Sequence, residues 1–540
     1  MDFSKILFIV LTVALYIEEI DNSKILGIFP LAAKSHYTLG NSLMRGLAEA
    51  GHDVTMMSPH NDENPVENGT YRNIVLTGFA EFYEATMKKL NPYERSYFSN
   101  SFNYLHKYQR ATTVLMENIF QHPAVVDFSN SNETFDVVIV EQIACEALKY
   151  FAHHFKAHLV LFSSVAAESK VNYVMGNPTM VSFSPLIDTD FSNDMTLAQR
   201  IRNLLLYAYE AAEYKYLWLP FLDDLIQRYH PGAPSMFDIN YNVSLVLVNS
   251  HESIQPSVPL VPNIVPIGGF HVEKAKRLPE DLENFLNLAS DGVIYVSFGS
   301  TVRAENLPTH KKLVLLKTFG NLKQKILWKW EGHEVDDLPA NVKTSKWFPQ
   351  KDLLAHPNVR LFVTQGGLLS LTESISNGVP MLAVPILGDQ FVNARMVETD
   401  GYGLSISFHD SNFSEEKLTS MIEELLHNST FKEKAMEKSR IFHDREIDPL
   451  KKAVYWIEYV IRHKGAAHLK VWGVNLAWYQ FYSLDVLFVI LTCTVLLLAF
   501  LYGIVIALGK LFKMAVKTVI QKNKRNNKND RRGNNKLKRH

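Results

Sequence analysis

Residues 343–395 read KTSKWFPQKDLLAHPNVRLFVTQGGLLSLTESISNGVPMLAVPILGDQFVNAR and gather side chains able to do specific chemistry. Trp347 offers an aromatic face, and Gln350 an amide that can donate and accept at a base edge. A mostly apolar strand, Val359–Val363, leads into the small-residue turn Thr364-Gln365-Gly366-Gly367, and a helix opens near Ser370. Free backbone N–H groups and the positive end of the helix dipole make such a junction an anion site. Glu373, one turn in, can accept from a ribose diol. A second strand, Met381–Val384, ends in Pro385-Ile386-Leu387-Gly388-Asp389-Gln390, where Asp389 and Gln390 can take hydroxyls of a sugar. In open α/β sheets ligands gather beyond the carboxyl ends of strands, where both polar clusters fall. Together they read as a pocket for a nucleotide sugar.

A proton acceptor stands far from this segment. His36 lies in Ala33-Lys34-Ser35-His36-Tyr37, after the first strand and before its helix. Imidazole suits the removal of a proton from a hydroxyl because its pKa lies near neutrality. A carboxylate to orient it can come from Phe135-Asp136-Val137-Val138-Ile139-Val140-Glu141. Glu141 closes that strand on the rim that carries His36. Asp136 opens it on the opposite rim, ~16 Å away at ~3.3 Å per residue. The two cannot both serve, and Glu141 is the better placed.

These residues need strands and helices to hold them. Lys24–Pro30 reads as a strand, and Leu39, Leu43 and Leu47 share one face of a following helix that Gly51 closes. Asp53–Met57 is the next strand, completing a βαβ opening. Phe135–Val140, His158–Phe162 and Val243–Asn249 read as further buried strands. Prolines at 256, 259, 262, 266 and 279 make residues 252–281 a linker. A second series starts at Val293–Phe298, and Leu450–His463 is an amphipathic helix. Two alternating halves, 24–251 and 282–465, argue for an α/β protein of two doubly wound, Rossmann-like domains.

The formal net charge of −1 hides an asymmetry. Residues 510–540 hold 12 Lys and Arg against one acid, Asp530; removing them from the totals of 55 and 56 leaves a body with 43 basic and 55 acidic residues. An acidic body argues against nucleic acid as a partner. Lys5 precedes an apolar run, Ile6–Ile17, of signal-peptide length, so residues 1–23 read as a leader. Residues 486–508 carry no charge and, at ~1.5 Å per residue, reach across a bilayer of ~30 Å. The basic tail, 509–540, fits a cytoplasmic flank, making a type I membrane protein. Cys145 and Cys493, the second inside the span, predict no disulfide. Sequons stand at Asn68, Asn132, Asn242, Asn412 and Asn428. The acidic pairs Asp223-Asp224 and Asp336-Asp337, with Asp188 and Asp190, read as turn and surface residues rather than metal ligands.

The segment from Trp347 to Gln390 resembles the donor-binding signature of the UDP-glycosyltransferases, the family that includes the UDP-glucuronosyltransferases. The resemblance runs from the first strand to the C-terminal anchor. It implies the GT-B arrangement, with the cleft between the domains: an N-terminal acceptor-binding domain and a C-terminal domain for the UDP-sugar. By position it implies Trp347 stacking on uracil and Gln350 on the uridine. Ser300 and Ser370 fall near the diphosphate with the Gly366-Gly367 turn, Glu373 on the ribose, and Asp389 and Gln390 on the sugar. His36 is implied as the base, polarised by a carboxylate. The reaction implied is displacement, with inversion, of UDP by a hydroxyl of a small lipophilic acceptor. The UDP-sugar is then a co-substrate, and neither cofactor nor metal is required. Two positions depart from the family pattern. Gln365 stands where the family has a histidine contacting phosphate, and an amide donates a hydrogen bond without positive charge. Glu141 stands where the family has Asp. These departures motivate an alternative, a degenerate member that binds lipophilic ligands or UDP-sugar without turnover. Lys536 and Lys538 resemble a cytosolic dibasic retrieval signal, which places the protein in the endoplasmic-reticulum membrane. A homo-oligomer is compatible with the sequence.

Overall fold

The computed structural model describes residues 22–93, 101–143, 145–187, 189–332 and 335–537. The expected leader through residue 21, Asp188 and the final residues with Lys538 lie outside them. Seven parallel strands form the first sheet: β1 (Lys24–Ile28), β2 (Asp53–Ser58), β3 (Thr70–Val75), β4 (Val137–Glu141), β5 (His158–Ser163), β6 (Val243–Val248) and β7 (Ile264–Pro266), in the order β3-β2-β1-β4-β5-β6-β7. Six more form the second: β8 (Val293–Ser297), β9 (Lys325–Lys329), β10 (Val342–Ser345), β11 (Val359–Thr364), β12 (Met381–Ala383) and β13 (Gly403–Ser405), in the order β10-β9-β8-β11-β12-β13. All pairings are parallel, so helices must cover both faces and the central strands read as continuous apolar runs.

Alternation along each central strand feeds two cores. Leu26, Ile28, Val138 and Val140 pack on one face of the first sheet, and Ile25, Ile139, Val160 and Phe162 on the other. In the second sheet Ile294, Val296, Leu361 and Val363 face one way, and Val293, Tyr295, Val359 and Phe362 the other. Successive side chains of a strand point to opposite faces, so one run serves both layers. The predicted helical face Leu39, Leu43, Leu47 is fully packed into the second of the first sheet's cores.

Two segments cross the expected domain boundaries. Ile264–Pro266 lies in the stretch read as a linker, yet adds β7 to the edge of the first sheet, pairing with β6. Proline is tolerated there because an edge strand need not donate on both sides. The helix Pro449–Arg462 belongs to the second half in sequence but buries Ala453, Ile457 and Val460 in the core of the first sheet. In the other direction Tyr93, from the first half, is buried in the core of the second and donates its hydroxyl to the Arg303 carbonyl at 3.1 Å. The whole of Met1–Val471 accordingly forms one compact unit.

Trp472–His540 is a second unit. Its main element is a helix, Leu484–Leu537, that begins two residues before the expected span and continues through the basic tail. Its apolar part is long enough to cross a membrane. Cys145 is buried and Cys493 exposed, both free. All five sequon asparagines are exposed.

Candidate active site

Each sheet reverses its winding once, between β1 and β4 in the first and between β8 and β11 in the second. Loops leave in opposite directions at such a point and open a crevice. The candidate residues fall at these two crevices.

At the first, β1 ends two residues short of expectation, and the helix Lys34–Glu49 begins earlier, so His36 sits in its first turn rather than before it. Glu141 ends β4, the strand beside β1. His36 Nδ1 and Glu141 Oε1 are 2.5 Å apart; the imidazole keeps 19% of its surface exposed, and the carboxylate none. Glu141 Oε2 is buried without a partner, so the carboxylate is committed to the imidazole. Burial pulls the His36 pKa down, but the charge and hydrogen bond of Glu141, with the charge of Asp389, outweigh it and hold the group above its ordinary value. Asp136 is at the other end of β4, where Oδ2 accepts the Lys24 N–H at 2.8 Å. The strand geometry thus selects Glu141.

At the second crevice the polar groups form a mesh. Gln350 opens a short helix, Gln350–Leu354, and its Oε1 accepts from Tyr295 Oη at 3.2 Å. Its Nε2 donates to Ser370 Oγ at 3.1 Å and Glu373 Oε2 at 2.8 Å. Both amide hydrogens are therefore spent inside the protein, and Gln350 braces Glu373. Burial raises the Glu373 pKa, which the Gln350 hydrogen bond partly opposes. The helix that carries Ser370 and Glu373 spans Leu368–Ser376 and opens two residues before Ser370.

Gly366, at φ +84°, turns the chain from β11 toward this helix. Gly299, at φ +82°, turns the chain after β8, and a Cβ there would strike the Gln365 amide. The backbone at 299 calls for glycine, and any Cβ there would also displace the Gln365 amide. Gln365 is buried and its Oε1 has no protein partner. Ser300, which follows Gly299 in the chain, is exposed. Trp347 is 61% exposed, an open aromatic platform.

Asp389 is half-buried, and desolvation raises its pKa, while Asn393 Nδ2 donates to its Oδ2 at 2.8 Å and to the Gly366 carbonyl at 2.9 Å. Gln390 is tied differently: its Oε1 accepts from the N–H groups of Ile386 and Leu387 at 2.9 and 3.0 Å. Its oxygen shapes the loop, leaving only its amide hydrogens for a ligand. Asp389 and His36 are close enough for each to feel the other's charge.

Two residues at the site escaped the sequence reading. Asn393, four residues after Asp389 on the helix Gln390–Thr399, has the spacing that brings helix side chains together. Lys329 ends β9, and its Nζ donates to the Gly299 carbonyl at 2.6 Å and to Glu331 Oε1 at 2.9 Å. The same ammonium lies 5.4 Å from the centroid of the Trp347 ring. A lysine closing the apolar run Ile326-Leu327-Trp328 was the available signal. Among the described residues no three His, Cys, Asp or Glu side chains form a cluster able to hold a metal.

Two parallel sheets with crevices at their switch points make the GT-B fold. The calicheamicin glycosyltransferase CalG4 has the same fold, with a TM-score of 0.53 at 16% identity, over 82% of this chain and 99% of that one. The glycosyltransferase of kitacinnamycin matches with a TM-score of 0.52 at 16% identity, covering 81% and 99%. The model of the UDP-glucuronosyl and UDP-glucosyl transferase family matches residues 24–526, and the chain belongs to that family. It is 34% identical to UDP-glycosyltransferase UGT5 of Dactylopius coccus, over 93% of this chain and 95% of that protein. It is 35% identical to UDP-glucuronosyltransferase 2C1 of Oryctolagus cuniculus, over 60% of this chain and 64% of that protein. The chain is a UDP-glycosyltransferase, transferring sugar from a UDP-sugar.

Proposed function

We propose that this enzyme moves a hexose or hexuronic acid from its UDP-sugar to a hydroxyl of a small lipophilic acceptor, with inversion and without a metal. The observation that carries this reading is the contact between His36 Nδ1 and the fully buried Glu141. With Nδ1–H donated to the carboxylate, Nε2 is the free base, the arrangement a buried acid imposes on a catalytic histidine. The acceptor proton passes to Nε2, its oxygen bonds to the anomeric carbon, and the bond to UDP breaks with its electron pair on the phosphate. Glu141 stabilises the imidazolium that results. Trp347 stacks on uracil, Glu373 accepts from the ribose, and Asp389 with the Gln390 amide holds the sugar. Charge developing on the diphosphate meets Ser300, Ser370 and the N-terminus of the Leu368–Ser376 helix. Lys329 supplies a positive charge beside the Gly299 turn, where Gln365 has none.

In the cell the body would lie in the lumen of the endoplasmic reticulum, behind a cleaved leader, with glycans on some of Asn68, Asn132, Asn242, Asn412 and Asn428. The helix from Leu484 would cross the membrane, and Lys536 and Lys538 would return escaped protein. The deciding experiment is UDP release from UDP-glucose and UDP-glucuronic acid with a panel of phenolic and alcohol acceptors, products being identified by mass spectrometry. A glycoside made by the wild type and not by His36→Ala supports the proposal. UDP-sugar binding with no glycoside from any acceptor would favour the degenerate binding protein.

A further inference from the structure

The loop after β8, residues 299–304, carries the exposed Ser300 and is held from two sides. Its ends are pinned from within its own sheet. Lys329 Nζ donates to the Gly299 carbonyl at 2.6 Å, Glu331 Oε2 accepts the Ala304 N–H at 2.8 Å, and the two side chains bond to each other at 2.9 Å. Val302 and Ala304 turn into the core of the second sheet. The main chain between the pinned ends has a partner from elsewhere. Tyr93, which belongs to the first half in sequence, donates its hydroxyl to the Arg303 carbonyl at 3.1 Å. Its ring lies 4.9 Å from that of Phe408 and keeps 5% of its surface exposed.

The local sequence delivers this side chain deliberately. The helix Phe79–Leu90 follows β3, with Glu81 in its first turn and Lys88 and Lys89 in its last, charges that suit the helix dipole. It ends on Asn91 at φ +39°, a left-handed conformation that asparagine enters more readily than most residues. Pro92 fixes the next backbone angle, and Tyr93 follows. On the same helix Tyr83 is within side-chain hydrogen-bonding reach of Thr301. Glu84 stands 4.0 Å from the Arg303 guanidinium, which sits closer to Glu305 at 2.8 Å. Exposed ion pairs of this kind contribute little, so the weight falls on Tyr93. Phenylalanine would fill the same space against Phe408. What the hydroxyl adds is one bond to the main chain of the loop. Burial raises the Tyr93 pKa, which keeps the hydroxyl a donor. A group that meets a phosphate helps only when held in register, and that register here depends on a residue of the other half.

We propose that Tyr93 is a positioning residue for the diphosphate loop, so that the half assigned to the acceptor also sets the affinity for the phosphates of the donor. This rests on the reading of Ser300 as a diphosphate contact. Tyr93 touches no part of UDP; it acts through the Arg303 carbonyl and the backbone that leads back to Ser300. Uracil and ribose are assigned to Trp347, Gln350 and Glu373 on other segments, so uridine alone should be blind to it. The test is calorimetry of UDP and of uridine on the full chain in detergent, for wild type, Ser300→Ala and Tyr93→Phe. Tyr93→Phe should weaken UDP about fivefold, the weight of one neutral hydrogen bond, and leave uridine unchanged. Its thermal unfolding should stay near that of wild type, because the ring still packs on Phe408. Tyr93→Met, also without a donor, repeats the measurement if the phenylalanine variant does not fold. Ser300→Ala should show the same preference for UDP over uridine. If Ser300→Ala weakens UDP selectively while Tyr93→Phe leaves UDP unchanged, or weakens UDP and uridine equally, the role of Tyr93 is overturned and the donor site stands. If Ser300→Ala has no effect on UDP, the reading of the loop as the diphosphate site falls, and the role of Tyr93 with it.

Discussion

The two switch points solve different problems with different architectures. At the first, the proposed chemistry rests on one contact: His36 against Glu141, with the carboxylate buried and otherwise unpartnered. At the second, function is spread over a mesh in which Gln350, Ser370 and Glu373 brace one another, and Asn393 ties Asp389 to the Gly366 turn. A proton acceptor depends on the charge state of one group, which one buried partner can set. A nucleotide sugar has many polar atoms, each needing its own counterpart held in register. The first region should therefore fail abruptly under substitution, and the second by degrees.

His36→Ala tests the abrupt side and has the largest expected effect. It removes the base and should lower kcat by ~10²–10⁴-fold, while UDP affinity, measured by calorimetry, stays near wild type. Glu141→Gln should follow, with a substantial loss in kcat that does not multiply with that of His36→Ala in the double variant, because the pair acts as a unit. Loss of UDP affinity in either variant would blur the contrast between the two regions.

On the graded side, Lys329→Met keeps the stem but removes the charge that touches both the Gly299 turn and the Trp347 face. It should weaken UDP by ~1.5–3 kcal/mol, the range for hydrogen bonds to charged groups, and uridine much less, with recovery in Lys329→Arg. Equal losses for UDP and uridine would show a general collapse of the site. Glu373→Ala should weaken UDP-sugar binding by ~1–3 kcal/mol through loss of the ribose acceptor, with kcat at saturation changed less than KM. The smallest effect is expected of Asp136→Asn. It can still accept from the Lys24 N–H, so stability should fall by no more than ~1 kcal/mol and kcat should hold. A folded but inactive Asp136→Asn would dissolve the assignment of the first switch point.

Most of the central strands were legible because buried parallel strands announce themselves as apolar runs. Those that escaped have physical reasons. β3, Thr70-Tyr71-Arg72-Asn73-Ile74-Val75, is a half-exposed edge strand without an apolar signature. β9, Lys325–Lys329, has only three apolar residues between its lysines, β10 is an edge strand of four residues, and β13 has three. β7 was hidden by its proline. The motif residues were legible individually because their spacing encodes a loop after a strand. Their mutual bonds were not: that Gln350 spends its amide on Ser370 and Glu373, or that Lys329 reaches the Gly299 carbonyl, depends on which strands lie side by side. The pairing of His36 with Glu141, 105 residues apart, was legible because both stood at the same end of strands that open their βα units.

The pH dependence of kcat/KM in wild type and Glu141→Gln tests the central claim most directly. Glu141 and Asp389 hold the His36 pKa above its ordinary 6.5, against the pull of burial. Protonated His36 therefore stabilises the fold. That contribution is complete below the unfolded value of ~6.5 and is lost as pH rises through the folded pKa, the range in which the neutral base appears and activity climbs. The wild-type acid limb should accordingly lie above pH ~6.5. In Glu141→Gln it should move to lower pH while the plateau rate drops. An acid limb that stays in place in Glu141→Gln, with an unchanged plateau, would contradict the pairing of Glu141 with a catalytic His36.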